Sequence, residues 1–212
     1  MEAPSNGRVQ AMGLAFAGLT VALWSALFFR LPEIRLGDDG VGGRLAFALS
    51  CGAVAILLTL CLGVQSIAME RALDPNAANP LQANESPILK VNARFLQNTL
   101  EQSLPFLLGL AGLAAALATP AALRAVTAST VTWVVLRWSF WAGYHVHPMY
   151  RAGGQFSLVQ SHLILCFVAY QLGAQRWSVA VGAALVGAFV AGNAVLGLLI
   201  IRSVRRRRAA RA

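Results

Sequence analysis

The chain has 212 residues, 58% of them apolar and 12% charged, with a mean hydropathy of +0.64. That charged fraction is about half the roughly 25% usual in soluble chains and is too small to coat a globule of this size, so a soluble enzyme and a disordered chain are both excluded. The net charge is +9, but Arg202, Arg205, Arg206, Arg207, Arg208 and Arg211 leave only +3 elsewhere; such a terminal cluster after an apolar run reads as an anchor facing anionic lipid and argues against a nucleic-acid partner.

A bilayer core of about 30 Å is crossed by about 20 helical residues, because backbone groups in hydrocarbon must bond to one another. Six stretches meet or nearly meet that length. Residues 11–29 carry no formal charge and follow one basic residue, Arg8. They exceed a signal-peptide apolar core and lack a small-x-small cleavage pattern, so they read as a retained helix. Residues 45–69 are the second stretch and are again uncharged. The third, 87–119, carries Arg94, Gln97, Asn98, Glu101 and Gln102 and has Pro105 inside it, where a kink is expected. Pro120 separates it from the fourth, 121–144. A loop with a hinge-like Gly153-Gly154 pair leads to the fifth, 155–173. The sixth, 177–201, is uncharged and contains Gly182, Gly187, Gly192 and Gly197, with small residues also at i+4 spacing in Ala184, Ala188 and Gly192, so a close helix contact is expected. Alternation with period two is absent, so strands are not expected.

Six spans place both ends on one side, and the arginine tail puts that side in the cytoplasm. Loops 70–86 and 145–154 are then cytoplasmic. Alanine- and arginine-rich usage points to a bacterial inner membrane. Cys51, Cys61 and Cys166 each lie within an apolar run and form neither a disulfide framework nor a metal-spaced cluster. His145 and His147 alone are a poor zinc signal, since a catalytic site usually takes three protein ligands; no metal is expected.

In the third stretch Arg94, Asn98 and Glu101 fall at i, i+4 and i+7 and share one helical face, flanked by Gln97 and Gln102. Each charge held at the bilayer centre costs about 2.5–3.5 kcal/mol on insertion scales, so such residues turn inward toward partners or a ligand. In the fourth stretch Arg137 and Tyr144 lie seven residues apart with Phe140 between them, and Arg151 follows seven further on. Trp138 and Trp141 read as an interfacial aromatic belt, and Glu101 is the natural partner for Arg137.

These two segments resemble the membrane-associated proteins in eicosanoid and glutathione metabolism, the MAPEG family, which includes microsomal glutathione transferases. Residues 94–107 (Arg94, Asn98, Glu101, then Pro105-Phe106-Leu107) resemble the family's second-helix pattern. Residues 137–151 resemble its third-helix pattern of an arginine before Gly-Tyr and another in the next loop. The resemblance implies an all-α membrane protein: a four-helix MAPEG-like bundle at 44–174, with an extra transmembrane helix at each end, in 1–43 and in 175–212. It further implies a homotrimer that binds glutathione between subunits and takes lipophilic small molecules from the membrane lipid. Carried over, Arg94, Asn98, Glu101, Arg137 and Tyr144 contact glutathione, and Arg151 is catalytic, facing the sulfur. The implied activity is that of a glutathione S-transferase or peroxidase; the alternative is a non-catalytic scaffold or lipid-binding member of the same fold. The chain departs from the family at Phe140, where several members have tyrosine, and at Gln102, where others have an aromatic residue.

Overall fold

The computed structural model describes residues 6–75, 77, 85–117 and 120–209, which form helices and short turns with no strand among them. Helix α1 spans Asn6–Arg30; α2, Val41–Ile56, passes through a π-helical turn, Leu57–Cys61, into α3, Leu62–Leu73. Then come α4, Pro87–Ala116; α5, Pro120–Val146; a 3₁₀ turn, Pro148–Arg151; α6, Ala152–Arg176; and α7, Val179–Ala209. Among the described residues, five helical stretches are long and apolar enough to cross a membrane: those of α1, α2 with α3, α4, α6 and α7. Helix α5 is the sixth long rod, with 27 residues. It is less apolar because Ser129, Thr130, Thr132 and Arg137 lie along it, and all four are buried against protein.

The helix boundaries follow local chemistry. Ser86 caps α4, its Oγ accepting from the Leu89 amide at 2.9 Å, and Pro87 occupies the first turn, where its missing N–H costs nothing. The same hydroxyl donates to Glu70 of α3. Pro105 sits inside α4, whose helical assignment runs unbroken to Ala116.

The helices fall into two compact units, Met1–Leu165 and Cys166–Ala212. In the first, α4 packs against α2 and α5. Gly52 of α2 lies so close to α4 that a Cβ there would stand 2.6 Å from Leu107. Two turns further on, near the end of α4, Arg44 Nε donates to the Ala114 carbonyl at 2.9 Å. Helix α1 is held to α5 by Trp24 Nε1, which donates to Ser129 Oγ at 3.0 Å, and by Arg124 over the Phe28 ring at 5.5 Å. The beginning of α6 closes on α4 and α5. Gly153 and Gly154 are helical and do not form a hinge: a Cβ on Gly153 would lie 2.6 Å from the Leu136 carbonyl, and one on Gly154 2.9 Å from the Phe140 ring. Their lack of a side chain lets α6 cross directly over α5.

In the second unit the end of α6 and α7 form a hairpin in which Gly173 meets Gly182 backbone to backbone; a Cβ on Gly182 would stand 2.5 Å from the Tyr170 carbonyl. Gly187, Gly192 and Gly197 meet nothing within 4 Å. Among the described residues of this unit, the close contact made by these glycines is at Gly182. Gly182→Leu is expected to lower the thermal unfolding temperature in detergent by overpacking worth about 1–3 kcal/mol, while Gly192→Leu stays within about 0.5 kcal/mol of the parent; circular dichroism melts of the two variants distinguish them.

Candidate functional site

Near the start of α4, successive polar side chains form a ladder on the exposed face. Arg94 Nη1 donates to Gln97 Oε1 at 3.3 Å, and Gln97 Nε2 donates to Glu101 Oε1 at 3.1 Å. About 100° around the helix axis, Asn98 and Gln102 point inward, and Gln102 Nε2 donates to Asn98 Oδ1 at 3.1 Å. The two rows arise from i, i+3 and i+4 neighbours on one helix.

Behind the inner row lies Arg137 of α5, whose side chain is 0% exposed. Its Nη1 donates to Asn98 Oδ1 at 2.9 Å, Gln102 Oε1 at 3.2 Å and Ser157 Oγ at 3.3 Å. Its Nη2 donates to Thr99 Oγ1 at 2.6 Å. The guanidinium also lies over the rings of Phe140, at 4.7 Å, and Phe95, at 5.4 Å. Glu101 is not its partner: that carboxylate is exposed on the outer row. A buried cation is thus held through its two terminal nitrogens by neutral acceptors, while its Nε meets no acceptor among the described residues, and two aromatic faces flank it, leaving its charge uncancelled.

Gln102, a departure from the family pattern, is the centre of this network. Its Oε1 also accepts from Ser157 Oγ at 2.7 Å, and its Nε2 donates to the Gly154 carbonyl at 3.0 Å. One amide therefore ties α4 to α5 and α6. Phe140, the other departure, serves as the surface on which Arg137 rests, and it stacks on Tyr144 at 5.6 Å.

These elements enclose a cleft of about 320 Å³ lined by Arg94, Asn98 and Glu101 from α4, Phe140 and Tyr144 from α5, Arg151 from the 3₁₀ turn, and Gln155 and Leu158 from α6. The sequence pattern thus names five residues that one cleft gathers: Arg94, Asn98, Glu101, Tyr144 and Arg151. Arg137 stands behind its wall and reaches it through Asn98 and Gln102. The turn carrying Arg151 folds back onto α5 because Gly143 has no side chain; a Cβ there would lie 2.3 Å from the Tyr150 carbonyl. Sequence reasoning missed Gln155 and Leu158. Gln155 stands four residues after Arg151, which was the one available signal; Leu158 carried none.

The Asn98 carbonyl oxygen is occupied by Arg137 and Gln102, so its NH₂ is the end left for a ligand. Together with Arg94, Arg151 and the Tyr144 hydroxyl, it makes the cleft rich in donors and cations, with Glu101 as its carboxylate. That set suits an anionic ligand that also carries one positive group. Among the described residues no group of three or more His, Cys, Asp or Glu could hold a metal.

If Gln102 organises this network, Gln102→Leu loses about 1–3 kcal/mol of stability by removing an acceptor from Arg137 and the donor to the Gly154 carbonyl, whereas Gln102→Glu, which keeps the acceptor but loses that donor, recovers only part of it. Melting temperatures in detergent check both.

The model of the MAPEG family matches residues 45–170, more than half of the chain. Comparison with curated proteins and with solved structures gave no match.

Proposed function

The chain belongs to the MAPEG family of membrane proteins in eicosanoid and glutathione metabolism, and on that premise we propose that it is a glutathione S-transferase or peroxidase. The observation that carries this reading is the cleft itself. Residues from Arg94 to Leu158, drawn from α4, α5, α6 and the 3₁₀ turn, line one polar cavity, with the uncancelled charge of Arg137 behind it. Arg94, Arg137 and Arg151 stand against Glu101, an excess of two positive charges.

Glutathione matches that balance. It carries two carboxylates, one ammonium group and a thiol that becomes an anion when activated. Arg94 and the Asn98 NH₂ suit a carboxylate, Glu101 suits the ammonium, and Arg151 faces the sulfur. A free thiol titrates near 8.5, so forming its anion at neutral pH requires about 2 kcal/mol. A guanidinium about 4 Å away supplies about 4 kcal/mol at an effective dielectric of about 20, which is sufficient. The thiol proton leaves to water, and the sulfur lone pair forms a bond to the electrophilic carbon of a lipophilic molecule from the bilayer as that carbon's bond to its leaving group breaks, the group departing with the electron pair as an anion.

The exposed positions of Arg94, Glu101 and Arg151 suit a cleft that a neighbouring subunit completes, in keeping with a homotrimer. With the arginine tail in the cytoplasm and each long helix crossing once, the start of α4, the end of α5 and the start of α6 all lie on the cytoplasmic side, where glutathione is available. A bacterial inner membrane is the proposed location.

Mixing the purified protein with glutathione should produce thiolate absorbance in the ultraviolet. Arg151→Ala should abolish it while calorimetric affinity changes by no more than a few fold, and Arg94→Ala should weaken binding about tenfold or more, the scale of one lost charged hydrogen bond. Absence of any glutathione binding would instead favour the non-catalytic alternative.

A further inference from the structure

A second cavity, of about 300 Å³, lies between the π-helical turn, α3, α4 and α5. This volume is at the lower end of the range for small-molecule sites. Its walls are mainly apolar: Leu58, Leu62 and Met69 on one side, and Phe95, Trp138 and Trp141 on the other. Thr59, Gln65 and Ser66 add neutral polar groups, and no charged side chain lines it.

Two features shape the cavity. The helix widens at Leu57–Cys61, and Trp138 Nε1 reaches across to the Leu58 carbonyl at 2.8 Å, pinning the indole as one wall. π-Helical turns of this kind are rare and occur frequently at functional sites. At Gly63 a Cβ would stand 3.1 Å from Phe95, so the bare backbone allows that ring to form the floor.

The lining also specifies the occupant. A charged head group would find no counter-charge here, and water would find few partners on apolar walls. The π-helical turn with α3, and α4 behind Phe95, belong to helical stretches long and apolar enough to cross the bilayer, so the molecules at hand are hydrocarbon. We propose that this cavity is a lipid-chain site that holds the tail of an uncharged, single-chain lipophile drawn from the bilayer. It is separate from the polar cleft and does not depend on which anion that cleft binds; Phe95 floors the cavity, and its ring in turn packs against Phe140 of the cleft wall at 6.0 Å.

The test uses the full chain in nanodiscs without glutathione and a long-chain alcohol bearing a diazirine midway along its tail. After photolysis, adducts mapped by peptide mass spectrometry should concentrate on residues 58–69 and 138–141. Ser66→Phe should reduce them about tenfold by displacing the volume of at least two methylenes. Leu62→Trp narrows the same space without removing a polar group and should do likewise, so a folding defect in one variant leaves the other informative. Adducts that persist in both variants, or that are as dense along α7 as at the cavity, overturn the proposal. So does an absence of adducts at the cavity, as expected if a second copy of the chain covers it. A diazirine phosphatidylcholine labelling these residues as strongly as the alcohol would overturn the preference for an uncharged single chain.

Discussion

The arrangement rests on the burial of one guanidinium without a carboxylate beside it. Arg137 is shut away from solvent in the middle of three helices, and an isolated charge in so dry a place is unstable unless nearly every donor is met. Four neutral oxygens, from Asn98, Thr99, Gln102 and Ser157, accept from its two terminal nitrogens, while Nε meets no acceptor among the described residues. The cation ties two helices to α5 at one register, α4 through Thr99 and Gln102 and α6 through Ser157. The aromatic faces of Phe95 and Phe140 supply the remaining attraction.

Much of this was legible beforehand, because helical spacing is a strong constraint. The i, i+4, i+7 placement of Arg94, Asn98 and Glu101 and the seven-residue steps from Arg137 to Tyr144 to Arg151 follow from a period of about 3.6 residues, and the cleft gathers all of these except the buried Arg137. Partner choice was less legible. Glu101 and Gln102 are neighbours in sequence but about 100° apart around the axis. Only the position of α5 and α6 decides which faces Arg137, and opposite charge was a poor guide. The π-helical turn was hidden for a related reason: Leu57–Cys61 lies within a continuous apolar run, and nothing in hydrophobicity distinguishes a ladder of i+5 bonds from one of i+4.

Glycines carried a signal whose meaning depended on packing. Gly153 and Gly154 look like loop residues in the sequence and Gly143 like the end of a helix, yet each is a place where one backbone must approach another element without an intervening Cβ. Their spacing sets how tightly the 3₁₀ turn and α6 fold onto α5, and so where Arg151 stands. The regular glycine series of α7 looked more purposeful and makes less contact, because regular spacing defines a smooth face without supplying a neighbour.

Gln102 shows why a departure from the family pattern need not be a lost contact. A glutamate there would cancel the charge of Arg137 in a salt bridge and leave the cleft with a smaller positive excess. A neutral amide accepts from the guanidinium, donates to Asn98 and Gly154, and leaves the positive field intact. From its buried position that charge acts on the cleft through protein and only then through solvent, at an effective dielectric of about 20. The same buried cation therefore joins three helices and contributes to the potential that an anionic ligand would meet, while the ring of Phe95 behind it closes the floor of the apolar cavity on the other side.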